Sequence, residues 1–163
     1  MFNYGEPLAF FLTWTTYGTW LPGDERGWTD PREGKRGSEP RLFQYATDIL
    51  SEPPFTLSEF HRSIVYETIR DHCNVRNWVL HACNPRTNHV HVVVTAPSRH
   101  PKDVRIQFQS WCTRRLRERG LERKNVWTEN GSERYLNTDS ELEAAIKYSN
   151  EAQDLKWKEH KNR

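Results

Sequence analysis

The segment Asn88-His89-Val90-His91-Val92-Val93-Val94 constrains this chain more than any other. Its run of β-branched residues reads as a buried strand. Side chains on a strand alternate faces, so His89 and His91 project together from one face, about 7 Å apart along the strand. Two imidazoles on one rigid face suit a divalent metal. The same pattern also describes two hydrogen-bonded, inert histidines on a half-buried strand, and His-x-His alone does not separate the two readings.

A chain of 163 residues can bury a real core and is read as one domain, 1–163, with an inserted loop over about 21–55. No apolar run is long enough to span a membrane. The first residues lack a basic stretch followed by an apolar one, which gives a cytoplasmic expectation. Three cysteines, Cys73, Cys83 and Cys112, make no disulfide framework. The formal net charge of +2 carries no bulk argument for nucleic acid. The distribution says more, because Arg114, Arg115, Arg117, Arg119, Arg123 and Lys124 crowd one segment. That run fits either a solvated helix face or a phosphate-binding one. Seven tryptophans are many for this length, and Trp14, Trp20, Trp28 and Trp111 are candidates for stacking on bases.

Along the chain, Phe10 to Tyr17 is aromatic and β-branched and predicts the first strand. Leu21 to about Ser38 carries turn chemistry and charge, the mark of an extended loop. Leu42 to Leu50 predicts a short helix, and Thr56 to about Asn77 a long one with Ser58 as a cap. Trp78 to Cys83 and Asn88 to Thr95 predict a hairpin turned by Asn84-Pro85-Arg86-Thr87. Pro101 to Arg119 predicts the second long helix, ended by Gly120. Val126 to Glu129 and Glu133 to Leu136 flank Asn130-Gly131, which favours a tight hairpin turn. Thr138 to Glu141 caps a last helix from Leu142 to about Lys158. This order of strands and helices predicts an α+β, ferredoxin-like sandwich, an antiparallel sheet with helices to one side. The His-x-His strand is then central, its histidines facing a final helix or a cleft.

On the last helix, Leu142, Ile146, Ser149 and Gln153 share one face. Tyr148 lies off that stripe, flanked by Ala145 and Ala152, where it is either a rim tyrosine or a residue reaching into a cleft. Several stretches are matched together: Thr13 to Asp24 near the start, Asn88 to Val93 in the middle, Trp127 to Ser132 late in the chain, and the terminal helix with Tyr148. On these, from Phe10 to about Gln153, the chain resembles the single-tyrosine HUH transposases, which include insertion-sequence transposases and their REP-associated relatives.

The resemblance implies an HUH-type fold in which His89 and His91 hold one Mg²⁺ or Mn²⁺. It implies that Tyr148 attacks a phosphate of single-stranded, hairpin-bearing DNA, leaving a 5′-phosphotyrosine and a 3′-hydroxyl. It also implies a third ligand, Gln or Asn, one turn after the tyrosine. That position here is Ala152, which cannot ligate. The resemblance favours the neighbouring Gln153, and helix geometry favours Glu151. Family members include dimers with tyrosines donated in trans and monomers, so a homodimer stays open. Arg86, Asn88, Lys102, Arg105, Arg114, Arg115 and Arg119, with Trp14 and Trp28, are the candidate DNA contacts. Two other readings stand beside this one. A domesticated protein would bind DNA hairpins without cutting them. A zinc-stabilised nucleic-acid-binding domain would use His81 and Cys83, on one strand face, with His89 and His91.

Overall fold

The computed structural model describes residues 5–152. Four strands form one sheet: β1 (Ala9–Thr16), β4 (Val79–Pro85), β5 (His89–Thr95) and β6 (Trp127–Leu136). Their spatial order is β4-β5-β1-β6, and every neighbouring pair is antiparallel. Helices α2 (Glu59–Arg76) and α3 (Pro101–Glu118) make the two crossovers. This is the split βαβ arrangement of a ferredoxin-like sandwich.

The two central strands are buried on both faces. On one face Phe10, Leu12 and Trp14 of β1 and Val90, Val92 and Val94 of β5 meet Val65, Ile69, Val104, Phe108 and Leu116 of α2 and α3. Burying a side chain of this size is worth about 1.5–3 kcal/mol, so this row dominates the packing. On the other face Ala9, Phe11, Val93 and Leu136 meet Ala145 of α4 (Asp139–Glu151), with Leu142 and Ile146 alongside. The two long helices thus share one face as expected. The terminal helix lies on the opposite face, the one the histidines occupy.

Local chemistry accounts for the helix ends. The Ser58 hydroxyl accepts from the His61 backbone N–H, and the Ser58 N–H in turn donates to the His61 ring Nδ1. Thr138 caps α4 through the Glu141 N–H. Asn77, with φ 59°, closes α2 in the left-handed region. No helix among the described residues is long and apolar enough to cross a membrane.

The segment leaving β1 is more ordered than a plain loop. β2 (Trp28–Asp30) pairs with β3 (Gly34–Arg36), and α1 (Pro40–Asp48) follows. Arg26 staples the excursion: its guanidinium binds the Asp24 carboxylate at 2.6 Å and the Thr19 carbonyl at 2.7 Å, and lies over the Trp20 ring. Gly23 (φ 86°) abuts the start of α1, where a Cβ would lie 2.4 Å from the Glu39 carbonyl oxygen.

One turn expectation fails. Asn130-Gly131 does not reverse the chain; both lie inside the ten-residue strand β6. The regular ladder to β1 reaches Gly131, which pairs with Trp14, and shifts register just beyond it, so that Asn130 falls in the irregularity before Trp127 pairs with Thr16. Here Gly131 answers a packing need. A Cβ would sit 2.6 Å from Cδ of Arg105 and 2.9 Å from the Thr13 carbonyl oxygen. Arg105 cannot easily yield, since it is bonded to Glu133 at 2.8 Å. Gly131→Ala is therefore expected to destabilise the fold by about 1–3 kcal/mol, the usual cost of overpacking, read from urea unfolding. Unchanged stability would mean that Arg105 is looser than this packing requires.

Candidate active site

β5 alternates, with Val90 and Val92 inward under α2 and α3 and His89 and His91 outward toward α4. The two imidazole centroids lie 4.6 Å apart. Each ring is held at its Nδ1. The His89 Nδ1 donates to Oδ1 of buried Asn88 at 2.7 Å, which puts the lone pair on Nε2. The His91 Nδ1 shares a hydrogen bond of 2.9 Å with the Thr13 hydroxyl, directly across the β1–β5 ladder. His91 is 6% exposed. Burial, and then the neighbouring His89 charge, push its pKa down to about 3. It is therefore a neutral imidazole at ordinary pH, the form that donates a lone pair to a metal. Outer hydrogen bonds that fix the tautomer are what metal-ligating histidines use, so this donor set fits a divalent ion.

α4 brings Tyr148 to the same place. The Tyr148 ring lies 5.6 Å from that of His91 and 6.0 Å from that of Phe11, while the residue stays 64% exposed. The sequence stripe puts Leu142, Ile146 and Ser149 at the centre of the packed face, but the buried residues of α4 are Ala145 and Ser149. Leu142 and Ile146 pack beside them against the sheet, and Tyr148, next to buried Ser149, stands at the edge of that face. Of the two third-ligand candidates, only Glu151 is among the described residues, and it does not join the pair. Glu151 is exposed on the last turn, and no group of three His, Cys, Asp or Glu suited to a metal occurs among the described residues. Gln153 lies outside the described residues. The backbone of Ala152 has left the helix (φ −59°, ψ 130°), so helical phase no longer describes the chain at that point.

The candidate DNA contacts separate. Arg86 sits on the β4–β5 turn beside the histidines, its N–H bonded to the His89 carbonyl. Asn88 is buried, with its side-chain oxygen on His89 and its carbonyl on the Thr16 N–H; it orients the imidazole instead of facing DNA. Trp14 is 1% exposed and stacked on Phe108, so it is core. Arg105 is 3% exposed and ion-paired with Glu133, so it is held inside. Lys102 is exposed on the first turn of α3, which follows the end of β5 away from His89. Arg114 lies over Trp111, Arg115 approaches Asp71 at 3.9 Å, and Arg119 lies over Phe60. These three climb α3 toward the histidine end of the sheet, on the face opposite the imidazoles. Trp28 forms part of β2 and donates to the Gly37 carbonyl.

The zinc grouping comes apart for a local reason. A bulge between Leu80 and Ala82 breaks the alternation of β4. Cys83 packs with the α2–α3 core, while the His81 ring bonds the Thr95 hydroxyl at the far end of β5. Burial pushes the thiols up, Cys73 to about 12 and Cys83 and Cys112 likewise upward, so they stay protonated.

Sequence reasoning missed Thr13 as the partner of His91. The alternation of Thr13 and Thr15 against Leu12 and Trp14 marks the polar face of β1 and could have found it.

No protein-family model and no curated protein matches the sequence. Among solved structures, the chain is similar to a "putative transposase" from Deinococcus radiodurans R1. The two are 13% identical over 92% of this chain and 95% of that one, with a TM-score of 0.54. It is also similar to a REP-associated tyrosine transposase bound to a REP hairpin, at 14% identity over 91% of this chain and 68% of that one, with a TM-score of 0.48. The first likeness shows a shared fold.

Trp14→Ala is expected to cost about 3–5 kcal/mol of stability, measured by denaturant unfolding. Lower DNA affinity with stability intact would return it to the surface.

Proposed function

We propose that this protein is a metal-assisted tyrosine transposase that cuts and rejoins single-stranded, hairpin-bearing DNA. The observation that carries the reading is the meeting of Tyr148 with His91, 57 positions apart in the chain, at 5.6 Å between rings. The resemblance in sequence assigned these residues to one site, and the shared fold agrees with it. Both come from one chain, so the proposal takes the tyrosine in cis.

His89 and His91 would hold Mn²⁺ or Mg²⁺, with Mn²⁺ better suited to imidazole; when bound, the ion supplies positive charge to a phosphodiester. The protein's own residues do the rest. Asn88 and Thr13 keep the imidazoles in fixed orientations. Exposed Tyr148 can meet a strand and release its proton to water. Its phenolic oxygen forms a bond to phosphorus as the P–O3′ bond breaks, and the departing 3′-oxygen takes up a proton. The phosphodiester energy is retained in the tyrosyl ester. A second 3′-hydroxyl can then attack the same phosphorus and release Tyr148, joining new ends. Arg86, on the turn beside the site, is the candidate phosphate contact at the site itself, while Arg114, Arg115 and Arg119 form a basic surface on the opposite face of the sheet.

A second reading rests on Ala152, a methyl group where the resemblance implies an amide ligand. On that reading the protein binds hairpins without cutting them.

A covalent-adduct assay separates the two. Labelled single-stranded DNA from the flanks of the gene is mixed with protein and Mn²⁺ and run on a denaturing gel. The expected result is a shifted band that disappears with chelator and with Tyr148→Phe, while hairpin binding persists. Tight binding with no band would favour the non-cleaving reading, and an adduct undiminished in Tyr148→Phe would place the nucleophile elsewhere. The orienting role of Thr13 has its own test. Thr13→Val keeps the shape of the side chain and is expected to weaken Mn²⁺ binding about 10–100-fold, as loss of an outer hydrogen bond does, measured by calorimetry on the folded protein. Unaltered affinity would leave Thr13 a packing residue.

A further inference from the structure

Asn84 falls in the segment that the sequence reads as a turn, yet it lies within β4, opposite His91. Its side-chain nitrogen reaches across to α4, donating to the Ser149 carbonyl at 2.7 Å and to the Ala152 carbonyl at 3.4 Å. Ser149 lies in the last turn of the helix and Ala152 caps it, where carbonyls are left short of regular intrahelical partners. Among the described residues, the Ser149 carbonyl otherwise has only a long bond of 3.4 Å from the Ala152 N–H. Two acceptors on one side chain need two hydrogens on one atom, which a carboxamide nitrogen supplies.

The position matters because of how α4 is held. Its apolar anchors, Leu142, Ala145 and Ile146, lie in the first half and middle of the helix. Tyr148 comes after them, in the part of a helix that ordinarily frays. The Asn84 bond to Ser149, the residue next to Tyr148, ties that final part to the strand beside His91. The second bond, to Ala152, holds the point where the backbone turns out of the helix.

We propose that Asn84 is the positioning residue of the tyrosine: a strand-to-helix clamp that sets the separation between Tyr148 and His91. The assignment rests on the tyrosine-transposase reading for its consequence in catalysis, though the clamp itself is a matter of geometry. Asn84 touches neither reacting atom and acts through the backbone of α4. Catalytic geometry tolerates little error, and a displacement of about 1 Å can cost 10²-fold in rate.

The test places 3-fluorotyrosine at position 148 and follows its ¹⁹F resonance, which is sensitive to the neighbouring His91 and Phe11 rings. In Asn84→Ala, which removes the donor, the resonance is expected to move toward that of unpacked tyrosine while the protein stays folded and still binds single-stranded DNA. Adduct formation with Mn²⁺ is expected to slow about 10–100-fold. Asn84→Asp, nearly the same size but lacking the amide hydrogens, is expected to behave alike, and it carries the same measurement if Asn84→Ala fails to fold. A resonance at its original position in these variants, with only stability reduced, would overturn the clamp and make Asn84 a packing residue. The fluorine readout needs no catalysis. Failure of the unsubstituted protein to form any adduct would therefore count against the transposase reading while the resonance still decides the clamp.

Discussion

The site depends on the one-sided demand made on β5. Val90, Val92 and Val94 are locked beneath α2 and α3, and strand geometry then leaves His89 and His91 only the opposite face. A slip of one residue in register would put imidazoles into the apolar core and valines at the site. Burial in one layer thus orients chemistry in the other. The pairing of β5 with β1 adds the second coordinate, because the register that sets Val92 opposite Leu12 also sets His91 opposite Thr13. Packing and hydrogen bonding agree at each step, which is how a site becomes rigid before any ligand arrives.

The two halves of the site differ in character. The histidines stand on an interior strand, and His91 is buried and hydrogen-bonded within the sheet. Tyr148 stands near the end of a helix, largely exposed, and reaches the site through ring contacts with His91 and Phe11. One half is fixed by the core; the other is fixed by a few contacts at a helix end. A reaction in which an attacking group must approach a bulky polymer and later retreat from it suits such a division.

Much of this was legible in the sequence, for physical reasons that can be named. Alternation and β-branching located β1 and β5, Ser58 announced the start of α2, and the paired histidines declared their shared face. Local patterns failed where a distant residue changed their meaning. Asn130-Gly131 carries turn chemistry, yet its glycine serves the passage of Arg105 over β6. Arg105 itself looks like one more cation in a basic helix, and only Glu133 on a remote strand explains its burial. Trp14 alternates onto the core face, a fate shared with Leu12. His81 and Cys83 share a face on an ideal strand, and a single bulge parts them. Tyr148 could be singled out by its alanine neighbours, but its contact with His91 depends on how closely α4 settles on the sheet.

The excursion between β1 and α2 departs and returns at nearly one point. The Phe55 N–H bonds the Tyr17 carbonyl at 2.8 Å, closing its base beside the end of β1. Its interior fastenings, Arg26 on Asp24 and Thr19 and the small β2–β3 ribbon, are internal to it. Lengthening a closed loop adds closure entropy only logarithmically, so the ribbon beyond these fastenings can be rebuilt at little thermodynamic cost to the sheet. The chain thus separates a frame whose register is set by the core from an arm fastened mainly to itself. Since the base of that arm opens at the same end of the sheet as Asn88 and His89, descendants could acquire new partners there while the register that aligns the histidines stays untouched.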